Sequence, residues 1–312
     1  MNITIRKFTD NDVNFLVYLH NQSTRLEKRN NYKTLMQFNE FLDEPGEEIR
    51  ANTFVAEVNS QIVGYNALCL VKGEEHINVY SYGTVEPGHR RIGVGTELLK
   101  HSLKHLEQMA NYLNKRIIFN LMVRLESPGQ NELAQKLMLN KHTDLLSMKL
   151  ELNQYQVQDP PDMEYRFSLP SKVDANTWAH IYNDAFSWSK NINQLTKESV
   201  LYEFNSSEFS PDLYILVRDE HNTPVGFVAA HEEDEAKCVI STLALLSEHQ
   251  GKGVGKSLLI EVLNRMKLKD FKEVRLTVDY QNPTAAIPLY KRIGFMEKTR
   301  IIHFTYDMYP KK

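Results

Sequence analysis

A stretch of seven residues occurs twice in this chain. Residues 89–95 read His-Arg-Arg-Ile-Gly-Val-Gly, and residues 249–255 read His-Gln-Gly-Lys-Gly-Val-Gly. The offset of 160 residues is kept by Arg90 and Gln250, by Gly93 and Gly253, and by Gly95 and Gly255. Other segments follow with small slips. Ile3-Thr4-Ile5-Arg6 is answered by Met163-Glu164-Tyr165-Arg166, and Ile62-Val63-Gly64-Tyr65 by Pro224-Val225-Gly226-Phe227. A period this long is a duplicated domain and not a solenoid, and half of 312 residues is an ordinary domain size. The divider is expected near Asn153–Asp162, a polar stretch containing Pro160-Pro161. The expected domains are therefore residues 1–153 and 154–312.

Each half has the same order of patterns. A short strand precedes a helix (Asp12–His20, Asn176–Phe186), then a hairpin (Thr53–Val71, Asp212–His231) and a strand (His76–Val85, Lys237–Leu245). The glycine turn follows, then a long helix with one apolar face: Leu98, Leu99, Leu103 and Leu106, or Leu258, Leu259, Val262, Leu263 and Met266. Another strand comes next, Arg116–Val123 or Glu273–Val278. This predicts an α/β (α+β) class with a mixed sheet flanked by helices in each half. Only one long strand is available after the last helix of each half, Leu145–Leu152 and Phe295–Met308.

Strand, glycines, helix is an arrangement suited to phosphate. Glycine lets the backbone turn tightly and approach an anion, and the first helical N–H groups have no internal partner. Gln250, Gly251, Lys252, Gly253, Val254, Gly255 and Lys256 form one such cradle, and Arg90, Arg91, Gly93, Val94 and Gly95 a second. A Walker A turn and a dinucleotide fingerprint both require glycine spacings that these segments lack.

The turn resembles the acyl-CoA-binding motif of the GNAT acetyltransferase superfamily, Gln/Arg-x-x-Gly-x-Gly/Ala. The second half is similar to the family further on, through Leu276-Thr277-Val278, Asn282, Ala285, Leu289-Tyr290 and Gly294-Phe295. The whole chain thus resembles tandem GNAT proteins. The resemblance implies an N-acetyltransferase that takes acetyl-CoA (coenzyme A) and passes the acetyl group to a primary amine within a ternary complex. It implies Tyr290 as general acid and Asn282 as a cofactor contact. The backbone of the strand carrying Leu243 and Leu245 is implied to hold the pantetheine arm and the thioester oxygen. The first half departs from the pattern: aligning helix ends puts Leu137 where Tyr290 stands, so this half is expected to have lost the chemistry while its turn is left to bind a second cofactor or shape the acceptor site.

Asn282 and Pro283 read as the cap and first residue of a helix, with Ala285 and Leu289 toward the core, and Pro288 is expected to bend it. The general base stays open among Asp279, His231, Glu232, His303 and a water chain. The alternative function is a non-catalytic acyl-CoA-binding or regulatory protein. A further alternative, a tandem acyltransferase using aminoacyl-tRNA, is disfavoured by a formal charge of −3. The same charge gives no nucleic-acid footprint. Cys69 and Cys238 are too few for a disulfide scaffold or a four-cysteine zinc site; Cys238 reads as core, and neither has a basic setting that would make it a nucleophile. His101 and His105 sit one helical turn apart without a further ligand, which reads as a solvated helix face, and no metal is expected. No apolar run is long enough to span a membrane and no signal peptide is evident, so a cytoplasmic monomer or homodimer is expected, acting on a small-molecule or peptide amine.

Overall fold

The computed structural model describes residues 2–27, 31–159, 164–189, 194–284 and 286–311. Pro160-Pro161, Met163 and Ala285 lie outside the described residues. The chain divides into two compact units. One comprises Met1–Thr143 with Ile301–Lys312, the other Asp144–Arg300.

The first unit holds β1 (Ile3–Lys7), α1 (Val13–Leu26), α2 (Leu35–Leu42), β2 (Thr53–Val58), β3 (Gln61–Lys72), β4 (His76–Val85), α3 (Val94–Leu113), β5 (Arg116–Arg124) and α4 (Pro128–Lys136). Strand β6 (Asn140–Glu151) follows. The second unit repeats the order with β7 (Arg166–Ser168), α5 (Ala175–Ala185), α6 (Lys197–Asn205), β8 (Tyr214–Arg218), β9 (Pro224–Asp234), β10 (Lys237–Leu245), α7 (Val254–Leu268), β11 (Glu273–Asp279) and α8 (Ala286–Ile293), and the last strand is β12 (Met296–Met308). Within each unit the described pairs are antiparallel except β4–β5 and β10–β11, which are parallel and joined by α3 and α7.

The linear division at residue 153 is corrected by strand pairing. Residues 145–151 of β6 pair antiparallel with β11 of the second unit, and residues 301–308 of β12 pair antiparallel with β5 of the first. Each unit therefore closes its sheet with the strand that follows the other repeat's last helix. Leu146, Met148 and Leu150 enter the second unit's core, while Phe304 and Met308 enter the first unit's. Both strands alternate apolar and polar side chains. That pattern chooses the buried face but not the sheet to be joined.

The core of each unit lies on both faces of its sheet. In the first, α3 covers one face through Leu98, Leu99 and Leu106, and α1 and α2 cover the other through Leu16, Leu19, Phe38 and Leu42. In the second, α7 buries Val254, Leu258, Leu259, Val262, Leu263 and Met266, each contributing about 1.5–3 kcal/mol by leaving water. The opposite face is built around Trp178, which stacks on Phe227 at 3.7 Å between ring centroids. No helix among the described residues is long and apolar enough to cross a membrane.

Candidate active site

In the second unit, β10 and β11 are in register only from Lys237–Glu273 to Ile240–Leu276. Beyond Ile240, β10 runs on to Leu245 while β11 stays with β6 up to Asp279. The two parallel strands thus separate, and the Thr242–Leu245 edge of β10 has no strand beside it on that side among the described residues. A bulge marks the point of separation. Ile240 opposes Ala230 and Thr242 opposes Ala229, so Ser241 is an extra residue, with its Oγ donating to the Ala229 carbonyl at 3.1 Å. The consecutive polar pair Ser241-Thr242 in an apolar strand was the sequence signal for this bulge, and sequence reasoning missed it.

The turn that follows β10 is held by Gln250, whose amide donates to the Leu245 carbonyl at 3.1 Å. Gly253 caps α7 with φ +87°, in the left-handed region that glycine enters at no steric cost. The first intrahelical bond runs from the Ser257 N–H to the Gly253 carbonyl at 3.1 Å, so the N–H groups of Gly253, Val254, Gly255 and Lys256 have no partner among the described residues and stand at the positive end of the helix dipole. A Cβ placed on Gly255 would meet Leu245 at 3.4 Å, Leu243 at 3.8 Å and Leu289 at 3.9 Å. The end of β10, the start of α7 and α8 therefore converge at this glycine. Lys252 and Lys256 are exposed and form no ion pair among the described residues. This arrangement fits a pyrophosphate-bearing ligand: free N–H donors, two unpaired cations and an open strand edge leading away from them.

Tyr290 lies on α8, next in sequence to Leu289. It is 8% exposed, packs edge to face with Phe295 at 5.8 Å, and its hydroxyl bonds no group among the described residues. Burial pushes its pKa up to about 12, so it stays protonated at neutral pH. Helix α8 begins at Ala286, later than the sequence suggested. Pro283 therefore precedes the helix, and Pro288 falls in the first turn, where its missing N–H costs no bond. Asn282 accepts from the Thr284 N–H at 2.8 Å and from the Thr284 hydroxyl at 2.6 Å, so its carbonyl oxygen is committed to the chain ahead of α8.

The first unit keeps the turn in altered form. Arg90 takes the place of Gln250, donating from Nε to the Val85 carbonyl at 3.0 Å, and Gly93 caps α3 with φ +99°. Its cations are neutralised. Arg90 pairs with Glu27 at 2.8 Å and donates to Ser23 at 2.7 Å, and Arg91 pairs with Glu132 at 2.7 Å. Strand β4 also separates from β5 after Tyr80, but its register with β3 is unbroken from Ile77 to Val85, with no bulge.

The position matching Tyr290 is Ala134, and the alignment with Leu137 is corrected. The Phe295 N–H bonds the Tyr290 carbonyl at 3.0 Å, just as the Leu139 N–H bonds the Ala134 carbonyl at 3.0 Å. Leu133 lies against Gly95 as Leu289 lies against Gly255. Met138 holds φ +54° where Gly294 holds +112°. Helix α4 ends at Lys136 and Met138 takes the glycine's place, earlier than the sequence alignment assumed, which moves the match by three residues.

The base candidates separate. His303 belongs to the first unit, where it is 4% exposed and its Nε2 is 2.8 Å from Asn120 Oδ1, so it is corrected out of the second unit's site. Glu232 accepts from Ser210 at 3.1 Å. Asp279 accepts from the Gln281 N–H at 2.7 Å. Elsewhere in the acidic hairpin, Glu233 pairs with Arg275 at 2.8 Å and Asp234 with Lys237 at 3.1 Å. Both cysteines are buried, and burial raises the pKa of each. No cluster of three or more metal-ligating side chains exists among the described residues.

Comparison with known proteins agrees with this geometry. A family model described as the acetyltransferase (GNAT) family matches residues 175–295, and one described as an acetyltransferase (GNAT) domain matches residues 50–137. The chain is a tandem GNAT protein, and it belongs to the acyltransferases. GNAT enzymes take acetyl-CoA or other acyl-CoA donors. Relatives named mycothiol acetyltransferase include one from Saccharopolyspora erythraea, 24% identical over 81% of this chain and 84% of its own length. Another, from Geodermatophilus obscurus, is 29% identical over 68% of each. Two solved structures share the fold. One is a GCN5-related N-acetyltransferase from Sphaerobacter thermophilus, with TM-score 0.72 and 19% identity over 99% of this chain and 97% of that one. The other is a tandem GNAT protein from the clavulanic acid biosynthesis pathway, with TM-score 0.72 and 16% identity over the full length of both.

Proposed function

We propose that the second unit transfers an acetyl group from acetyl-CoA to a primary amine of a small acceptor, and that the first unit has lost this chemistry. The observation that carries the reading is the meeting of three features in one unit: the free β10 edge, the donor-rich start of α7 and the protonated, unpartnered hydroxyl of Tyr290. Acetyl-CoA supplies an activated thioester. The N–H groups of residues 253–256, with Lys252 and Lys256, hold its diphosphate. The Thr242–Leu245 backbone holds the pantetheine arm and donates to the carbonyl oxygen as negative charge develops there, an efficient source of rate. Tyr290 gives its proton to the departing thiolate. The amine reaches its reactive form by losing a proton to water, because Asp279, Glu232 and His231 each have other partners and His303 belongs to the first unit. Asn282 helps through its free amide N–H2 alone.

The acceptor is a small-molecule amine, and the similarity to mycothiol acetyltransferases makes their acceptor the first to try. The test is calorimetric titration with acetyl-CoA, followed by turnover against polyamines, aminoglycosides, amino acids, peptides and the acceptor of mycothiol acetyltransferases. One binding site per chain and turnover of one amine class are expected. Binding without turnover of any amine would instead make the protein an acyl-CoA-binding regulator.

A further inference from the structure

In the first unit, a cavity of about 360 Å³ opens between the edge strand β1 and the middle of α3. Its lining includes Lys7, Phe54, His101, Lys104, His105 and Gln108, and no carboxylate. His101 is seven residues into α3, so the cavity starts about 10 Å along the helix from the glycine turn. It is a separate place on the molecule.

The histidines, read as a solvated face from sequence, are partly buried. Both rings stand edge-on to Phe54, at 4.8 and 5.1 Å between centroids. His105 Nε2 is 2.9 Å from Asn52 Oδ1. The Lys7, His101, Lys104 and Gln108 side chains have no hydrogen-bond or ion-pair partner among the described residues. Arg6, which also lines the cavity, is already matched, by Asp12 at 2.7 Å and Glu57 at 2.8 Å. Burial, reinforced by Lys104, holds His101 below its ordinary pKa, and burial with Lys7 and His101 does the same for His105. Positive groups are thus gathered in a concavity with nothing to offset them.

The duplication supplies a control. At the same offset of 160 residues, His101, Lys104 and His105 correspond to Glu261, Asn264 and Arg265. Arg265 pairs with Glu261 at 2.8 Å and donates to the carbonyl of Asp212, the counterpart of Asn52. Asn264 is taken up by the chain before β7, donating to the Gln158 carbonyl at 2.8 Å and accepting from Tyr155 at 3.3 Å. At these three positions the second unit's helix face therefore has its charge and polar groups matched within the unit. The first unit's is cationic and open.

We propose that this cavity binds a small molecule bearing a phosphate group. The two ammonium groups match a dianion, and His101 and Gln108 add directional hydrogen bonds to its oxygens. Phe54 and Ile5 offer apolar surface to the organic part, and the volume is that of a small-molecule pocket rather than of a bare ion.

Histidine side-chain NMR reads the site locally, since both rings line the cavity. His101→Gln and His105→Gln assign the resonances. The protein is titrated with inorganic phosphate and with phenyl phosphate at fixed ionic strength. Saturable shifts of both rings are expected, with phenyl phosphate binding more tightly. The exposed pair Lys7→Ala/Lys104→Ala should raise Kd at least tenfold, with an unchanged thermal midpoint showing that the fold is kept. Shifts that do not saturate, or that persist undiminished in the double variant, overturn the site. Inorganic phosphate binding as tightly as phenyl phosphate overturns the organic ligand.

Discussion

The two units share a strand order, a glycine turn and a separation of their parallel strands, yet they differ in every group that would touch a reacting thioester. The second unit has a bulge at Ser241, unpaired Lys252 and Lys256, and the Tyr290 hydroxyl. The first has an unbroken β4, arginines paired to Glu27 and Glu132, and the methyl of Ala134. On the proposed function, backbone conformation has outlasted chemistry. The turn persists because it admits α3 to the sheet, a packing task that needs no ligand. Cations and hydroxyls are free to change once no substrate requires them.

The sharpest test of this contrast is Gly253→Asp. It forces a side chain into φ +87° and sets a carboxylate among the donors, so acetyl-CoA binding and turnover should both be lost. Gly93→Asp should leave both intact in folded protein. Calorimetric stoichiometry and steady-state rates read the difference, and equal losses would break the division of labour.

Tyr290→Phe is expected to lower kcat by about 100-fold, at the low end of general acid–base effects, with acetyl-CoA affinity unchanged. An unchanged kcat removes the assignment. The same residue has a stability signature. Its folded pKa of about 12 lies above the ordinary tyrosine value of 10, so the folded state holds the proton more tightly. The stabilisation is complete below pH 10 and falls as pH rises from 10 toward 12. Denaturant titrations across that range should show a steeper loss in the wild type than in Tyr290→Phe.

Gly226→Ala compares the two hairpins. A Cβ there would lie 2.2 Å from Leu245 and 2.8 Å from the Ala244 carbonyl. Overpacking should cost about 2 kcal/mol. Gly64→Ala, whose nearest contact is the Thr84 carbonyl at 3.0 Å, should cost less. Chemical denaturation gives both values, and the reverse order would show that the strand under the second turn yields more readily than its packing suggests.

The smallest effect is expected from Glu132→Ala. Its pair with Arg91 is exposed on both sides, so the thermal midpoint should not move. If the first turn is silent because its cations are paired, freeing Arg91 should bring weak acyl-CoA binding into calorimetric range. No binding would place the defect in the unbulged β4 instead.

Much of this is legible in the sequence. The 160-residue offset announced two copies of one domain, because glycines at a tight turn leave few substitutes. Apolar spacing placed α3, α7 and most strands, since one buried face per element is a local requirement. The position of Tyr290 followed from the Leu289-Tyr290 and Gly294-Phe295 steps. Local patterns failed where partners lie far apart in sequence. Glu27 is 63 residues from Arg90, and Asn120 is 183 from His303, so nothing near either residue disclosed the pairing.

By itself, then, the sequence determined a duplicated α/β domain with a phosphate-shaped turn in each copy. Tertiary structure decided which strands complete which sheet, which turn keeps its cations free, and that Ala134 answers Tyr290. The reason is physical. Helix periodicity, strand alternation and turn geometry are properties of neighbouring residues. Strand exchange and ion pairing depend on which surfaces meet after the elements have formed.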